Sequence, residues 1–318
     1  MKSFKSFDGT RIAFHDEGSG PAVVLLHGYG LDGMGQFGNF EDTLPLLERN
    51  LELFREAFGK APAVPNPPAE GRAGLMTRLL AAGARIIVPD MRGFGSSDKP
   101  VHTASYANSA MARDVLALID HLEIRSVDVV GFSMGALTGA RLLALGGREL
   151  RSAVLSGIGD YIVAGEILEL PASFPVPASL PRPLTHTSWA EEGARILKRG
   201  ELGPGHLGSA HLITAKATGI DRHVLAAIIR GAIAETIPRG AWHGSPVPVL
   251  LLNGQHDVAN QKVTRLLEEI PVSEALQCQG DHYNSTFQPE FQEAVVRFLE
   301  SHWSSGKRHE AFASQGHA

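Results

Sequence analysis

Two hydrophobic rhythms alternate along the first half of the chain. Short apolar runs at 22–27 (AVVLLH), 85–89 (RIIVP) and 127–131 (VDVVG) leave almost no polar face, as expected of strands covered on both sides in a parallel sheet. Between the last two, residues 111–122 place Val115, Leu118, Ile119 and Leu122 at helical spacing. Residues 2–7 and 11–17 read as two strands joined at Asp8-Gly9, a hairpin turn signal. Downstream, 136–145 predict a helix that stops at Gly146-Gly147, and 153–155 a short strand. Strand signals return at 247–253 (VPVLLLN) and 275–279, and 289–303 predict a closing helix. Strands alternating with helices place the chain in the α/β class, with a mostly parallel sheet and helices on both faces.

Two stretches break this rhythm. Residues 158–241 contain the proline-rich LPASFPVPASLPRP and weaker helical patterns around 190–198 and 223–233. The other, 31–74, carries an apolar-periodic piece at 44–58 and then APAVPNPPAEGRAG, too rich in proline and glycine for regular structure. A connection that long is usually functional or disordered, and this one is expected to carry its own helix. Its stripe of Leu44, Leu47, Leu51, Phe54 and Phe58 needs a surface to cover, and a wall of the substrate pocket is the expectation. Residues 304–318 show no periodicity and are expected to form a mobile tail.

Composition narrows the function classes. At 43% hydrophobic and 20% charged residues in 318, the chain can build a sizeable core. A formal charge of −5 disfavours electrostatic capture of nucleic acid or an anionic membrane. The single cysteine, Cys278, allows no intrachain disulfide. Neither a signal-peptide core near the start nor an apolar run of about 18 residues occurs, so no membrane span is predicted and the cytoplasm is the expected location. His206 and His211 lie five apart in what reads as a glycine-rich loop, and no side-chain group shows metal-ligand spacing. No dinucleotide fingerprint or P-loop stands in the right context, so no cofactor is expected.

The sharpest chemical signal is Gly131-Phe132-Ser133-Met134-Gly135, a G-x-S-x-G between a buried strand and a helix. Such a turn lifts a serine out of the chain path, and the helix N-terminus favours negative charge developing beside it. A hydroxyl is a poor nucleophile without a base at its side. His282, in Gly280-Asp281-His282 after the last strand, is the histidine in position to serve. For the acid that orients it, Asp257 closes the strand PVLLLN and is preferred; Asp160, after the strand ending at Leu155, is the alternative. Asp281 is too close in sequence to reach its neighbour's Nδ1 and is expected to bond locally. An oxyanion hole needs two N–H groups aimed at one point. Met134 should give one, and Tyr29 in His27-Gly28-Tyr29-Gly30 the other. His27 is expected to brace that loop, and Arg92 and Asp98 to make fixed hydrogen bonds beneath the site.

Taken together, HGYG at His27, DMRGFGSSDKP at Asp90, GFSMGA at Gly131, NGQHD at Asn253 and GDHYNS at Gly280 resemble the α/β-hydrolase superfamily over almost the whole chain. The resemblance implies an eight-stranded, mostly parallel sheet with a helical cap inserted after the sixth strand. Residues 1–157 and 242–303 would be the core, with the 31–74 insertion, and 158–241 the cap. It also implies that Ser133, Asp257 and His282 form a triad and that Tyr29 and Met134 hold the oxyanion. Within the superfamily the chain looks most like bacterial esterase-like hydrolases. Ser133 stands where haloalkane dehalogenases and soluble epoxide hydrolases carry aspartate, Phe132 where carbon–carbon bond hydrolases usually carry asparagine, and Tyr29 where haloperoxidases typically carry tryptophan. Gln261 replaces a usual proline after the acid. The expected substrate is a carboxylic ester of a small or medium-sized molecule. The alternatives are a lactone, thioester, amide or carbon–carbon bond, or a non-catalytic ligand-binding homologue. Oligomeric state is left open.

Overall fold

In a computed structural model, which describes residues 1–58, 67–170, 176, 180–201 and 206–313, the predicted strands assemble into one eight-stranded sheet. In chain order the first elements are β1 (Lys2–Lys5), β2 (Arg11–Glu17), β3 (Ala22–Leu26), α1 (Gly33–Phe37), α2 (Phe40–Phe58), α3 (Gly74–Ala81) and β4 (Arg85–Pro89). Then come α4 (Ala110–His121), β5 (Val127–Phe132), α5 (Met134–Ala144) and β6 (Leu150–Ser156). Three helices follow, α6 (His186–Arg199), α7 (His206–Thr218) and α8 (Arg222–Ile228). The chain closes with β7 (Val249–Gly254), α9 (Thr264–Glu269), β8 (Ser273–Cys278) and α10 (Pro289–Ala313).

The strand order is β1-β2-β4-β3-β5-β6-β7-β8, antiparallel only where β2 meets β1 and β4. Side chains alternate across the pleat. Val24, Leu26, Ile87, Val129 and Leu155 face one core, filled by Val115 and Leu118 of α4 and Leu137 and Ala140 of α5. Val23, Leu25, Ile86, Val130 and Leu250 face a second core, filled by Leu75 and Leu79 of α3 and Phe291 and Val295 of α10. Burial on both faces explains why these strands read as unbroken apolar runs. Register then sets the site: Leu26 lies opposite Gly131, and Phe132 opposite Ser156. The loops after β3, β5, β6, β7 and β8 therefore leave from one edge and converge.

Several boundaries differ from the sequence expectation. The first strand stops at Lys5 rather than residue 7, because Ser6 donates to the Thr10 carbonyl and Gly9 to that of Ser6, drawing both into the turn. His206 and His211 lie on helix α7, not in a loop. Its apolar residues are spread around the axis, which left no one-sided stripe to read. No metal-ligand cluster occurs among the described residues. The closing helix runs past Trp303 to Ala313; its Lys, Glu and Ala residues propagate a helix already nucleated upstream. Residues 59–66, 171–175, 177–179, 202–205 and 314–318, with much of both proline-rich stretches, lie outside the described residues. No described helix is long and apolar enough to cross a membrane.

Candidate functional site

The chain turns sharply between β5 and α5, holding Ser133 at φ 53°, ψ −114°. A non-glycine residue there is strained, and the surroundings hold it in place. The Ser133 N–H donates to the Ser156 carbonyl at 2.7 Å, and its own carbonyl accepts from Leu137 N–H at 2.9 Å. The flanking glycines are a packing necessity. A Cβ on Gly135 would run into the Leu26 carbonyl, and one on Gly131 into that of Gly135.

Opposite this turn, the loop after β8 presents His282. Its Nε2 lies 3.0 Å from Ser133 Oγ and its Nδ1 2.7 Å from Asp257 Oδ2. A carboxylate can only accept, so Nδ1 carries the proton and Nε2 faces the hydroxyl with a free lone pair. Burial opposes the imidazolium, but the charge and hydrogen bond of Asp257, with the charge of Asp281, outweigh it and raise the His282 pKa. The structure thus brings Ser133, His282 and Asp257 into one hydrogen-bonded line. Asp160 does not join it: its Oδ1 accepts the Leu266 N–H at 3.0 Å, at the start of α9. Asp281 bonds locally, accepting from Tyr283 N–H at 2.8 Å.

Two further loops, those after β3 and β4, are tied together near this line. His27 is fully buried, and burial lowers its pKa, so it stays neutral. Its Nδ1–H donates to the Gly28 carbonyl at 2.8 Å and its Nε2 accepts from Met91 N–H at 2.9 Å, tying the loop after β3 to the loop after β4. Arg92 is buried beneath, with Asp114 at 2.6 Å and Asp8 at 2.9 Å. Asp98 differs from expectation; it is half-exposed and accepts from Arg11 N–H at the start of β2, away from the site. Asp90 does what Asp98 was expected to do, accepting from Gly33 and Ser96 N–H groups.

Two polar residues carried no sequence signal. Gln36, on α1 within the insertion, accepts from Gly28 N–H and donates to Thr286 Oγ1, both at 3.3 Å, bridging the Tyr29 loop and the His282 loop. Asn260 donates to Asp257 Oδ1 at 2.7 Å. Gln36 acts between loops distant in sequence, and Asn260, only three residues past Asp257, is oriented by the Tyr161 hydroxyl 99 residues away, so no local pattern announced either.

A cavity of about 140 Å³ opens beside Ser133. Thr43, Leu46, Leu47, Asn50 and Leu51 of α2 form one wall, Ala210 and Thr214 of α7 another, and Tyr29, Phe132, Tyr283 and Phe287 complete it. Of the insertion's predicted stripe, Leu47 and Leu51 reach this wall and Leu44 does not; the side chains of Phe54 and Phe58 lie outside the described residues. Helix α2 also packs on α7, so it meets the 158–241 segment as well as the cavity. Apart from His282, no titratable residue other than tyrosine lines the cavity among the described residues.

The profile of the alpha/beta hydrolase fold matches residues 21–185. A 2-hydroxy-6-oxo-2,4-heptadienoate hydrolase from Pseudomonas putida is 28% identical over 152 residues, 48% of this chain and 42% of that protein. The chain spans less than half the length of the curated relatives it matches. Among solved structures, an esterase from Exiguobacterium antarcticum superposes with TM-score 0.56 at 19% identity, covering 95% of this chain and 98% of the other. A meta-cleavage product hydrolase from Pseudomonas fluorescens gives 0.59 at 18%, covering 96% and 98%. At such identities the likeness is one of fold.

Proposed function

Because the chain belongs to the alpha/beta hydrolase fold family, we propose that it is a serine hydrolase that cleaves a neutral carboxylic ester of a small or medium-sized molecule. The observation that carries this reading is the line from Ser133 Oγ through both ring nitrogens of His282 to Asp257. His282 takes the Ser133 proton as Oγ attacks the ester carbonyl, and Asp257 offsets the charge left on the imidazolium. The first N–H groups of a helix have no intrahelical partner, which makes Met134 one donor to the oxyanion; the Tyr29 N–H is the other. His282 then protonates the leaving alcohol. Water, activated by the same histidine, attacks the acyl-enzyme and releases the acid. Residues 158–241 act as the cap over this chemistry.

A carbon–carbon bond is the second reading, favoured by the likeness to the heptadienoate hydrolase. That substrate is by name a carboxylate, and a buried carboxylate needs a cation or several donors. Neither Arg nor Lys lines the cavity among the described residues; leucine, phenylalanine and tyrosine supply about half of its lining, and the polar residues besides Ser133 and His282 are the uncharged Gln36, Thr43, Asn50 and Thr214. An uncharged ester fits those walls better. The test is Ser133→Ala beside wild type, assayed with p-nitrophenyl esters and a vinylogous diketone acid, and labelled with a fluorophosphonate. Wild type should take the label and cleave esters, and Ser133→Ala should lose the label and on the order of 10⁴ in turnover. Preference for the diketone acid, or ester turnover within about tenfold of wild type in the variant, would overturn the reading.

A further inference from the structure

Asp257 is 4% exposed, and a buried carboxylate oxygen left without a donor is costly. His282 Nδ1 serves Oδ2, and Asn260 Nδ2 serves Oδ1, each at 2.7 Å. Among the described residues these two are the side-chain donors to that carboxylate. Asn260 is itself 2% exposed and held from three sides. Its backbone carbonyl accepts from Asn253 Nδ2 at 2.6 Å, its N–H donates to the Asp257 carbonyl at 2.9 Å, and its Oδ1 accepts from the Tyr161 hydroxyl at 2.7 Å.

This last bond fixes which way the amide points. A carboxylate accepts only, so the edge of Asn260 facing Asp257 must be its NH₂, and the oxygen must face away. A hydroxyl donating to that oxygen rewards this orientation and penalises the flipped one, which would set an amide oxygen against the carboxylate. The remaining neighbour, His282 Nδ1, lies 3.3 Å from Asn260 Nδ2. With Nδ1 protonated both groups are donors, so the contact adds no acceptor and leaves Asp257 as the shared target. Tyr161 in turn stacks on His186 of α6, ring centroids 4.8 Å apart. The His186 Nε2–H donates to the Ile233 carbonyl at 2.6 Å.

We propose that Asn260 and Tyr161 are positioning residues that hold the Asp257 carboxylate aimed at His282, and that Tyr161 acts through Asn260. The inference rests on Asp257 being the acid of the triad. It also gives α6 a path to the catalytic line, since the ring that orders Asn260 lies against α6. The other titratable groups facing Asp257 or His282 are Asp281, Tyr283 and Cys278. Burial pushes Tyr161 up and Cys278 to about 12, and Tyr283, half-exposed beside Asp281, is raised as well, so Tyr161, Tyr283 and Cys278 stay neutral across the range in which His282 titrates.

The test compares wild type, Asn260→Ala, Tyr161→Phe, the double variant and Asp257→Asn on one p-nitrophenyl ester across pH. Asn260→Ala should lower kcat about 10- to 100-fold with little change in KM, because neither residue lines the cavity. Without the Asn260 donor, carboxylate charge concentrates on the bond to His282, and the acid limb of kcat/KM should rise by roughly half a unit. Tyr161→Phe keeps the ring stack, so it is the variant expected to fold unaltered, and should cost about three- to tenfold in kcat. The double variant should be no slower than Asn260→Ala, since Tyr161 has no other route to the carboxylate. Wild-type kcat and an unmoved pH limb in Tyr161→Phe and Asn260→Ala, with Asp257→Asn inactive, would overturn the inference alone. Multiplying losses in the double variant would overturn the claim that Tyr161 acts through Asn260. An active Asp257→Asn would instead remove the acid assignment beneath both.

Discussion

Replacing Asp257 with asparagine changes almost nothing in shape and reverses the hydrogen bonding. The carboxylate now accepts from two fixed donors, Asn260 Nδ2 and His282 Nδ1, each at 2.7 Å. Asparagine brings one acceptor oxygen and one NH₂. With its oxygen toward Asn260, the NH₂ faces His282 Nδ1, and two donors cannot share that contact. The imidazole must then move its proton to Nε2, the nitrogen 3.0 Å from Ser133 Oγ, where a free lone pair is required. Turning the new amide over only transfers the conflict to Asn260, whose own orientation is held by Tyr161. The charge that stabilised the imidazolium is lost as well. A wrong tautomer in a serine hydrolase costs on the order of 10⁴ in kcat, or about 5 kcal/mol of transition-state stabilisation. The assay is ester turnover at neutral pH, with a thermal melt to show that the fold is intact. Asp160→Asn is the control. Its Oδ1 only accepts the Leu266 N–H, which an asparagine oxygen can also do, so kcat should stay near wild type. Turnover of Asp257→Asn within about tenfold of wild type, or a larger loss in Asp160→Asn, would refute the reasoning.

Because the His282 pKa is raised above the ordinary 6.5, kcat/KM should climb with pH through an apparent value above 6.5 and then level off; a flat profile from about pH 5 to 8 would contradict this. The same shift acts on stability with the opposite sense. The protonated pair with Asp257 stabilises the fold fully below the unfolded histidine value, and that contribution is lost as pH rises through the folded pKa. For the α2 wall, Leu51→Trp fills part of the cavity and should cut kcat/KM for long-chain relative to short-chain p-nitrophenyl esters by about tenfold or more. An unchanged ratio in a folded variant would show that α2 does not shape the pocket.

What was legible in the sequence follows from how far each signal reaches along the chain. The strands at 85–89 and 127–131 were readable because burial on both faces leaves an apolar run. The Ser133 turn was readable because close packing of Gly131 and Gly135 against backbone demands glycine locally. Helix α7 was missed because its apolar residues surround it. Gln36 was missed because its partners sit on other loops, and Asn260 because the Tyr161 hydroxyl that orients it comes from far along the chain. Asp98 was misplaced for the same reason: a carboxylate at the end of DMRGFGSSD looks like its neighbour Asp90 until the sheet shows which one faces inward.

This separation between near and distant signals matters for how the protein divides its work. The proposed reacting groups come from loops at the ends of β5, β7 and β8, where sheet register fixes the geometry. The walls that would choose a substrate come from α2 and α7, which meet each other over the cavity and are not strapped to the sheet by strand pairing. Substitutions at Leu46, Leu47 or Leu51 can therefore change which chain fits without moving Ser133, His282 or Asp257. Asn260 and Tyr161 work from the opposite side, touching the acid and α6 but not the cavity. Variants of the first kind should alter the ranking of substrates, and variants of the second kind should slow every substrate by a similar factor. A panel that mixes chain lengths separates the two without any further structure.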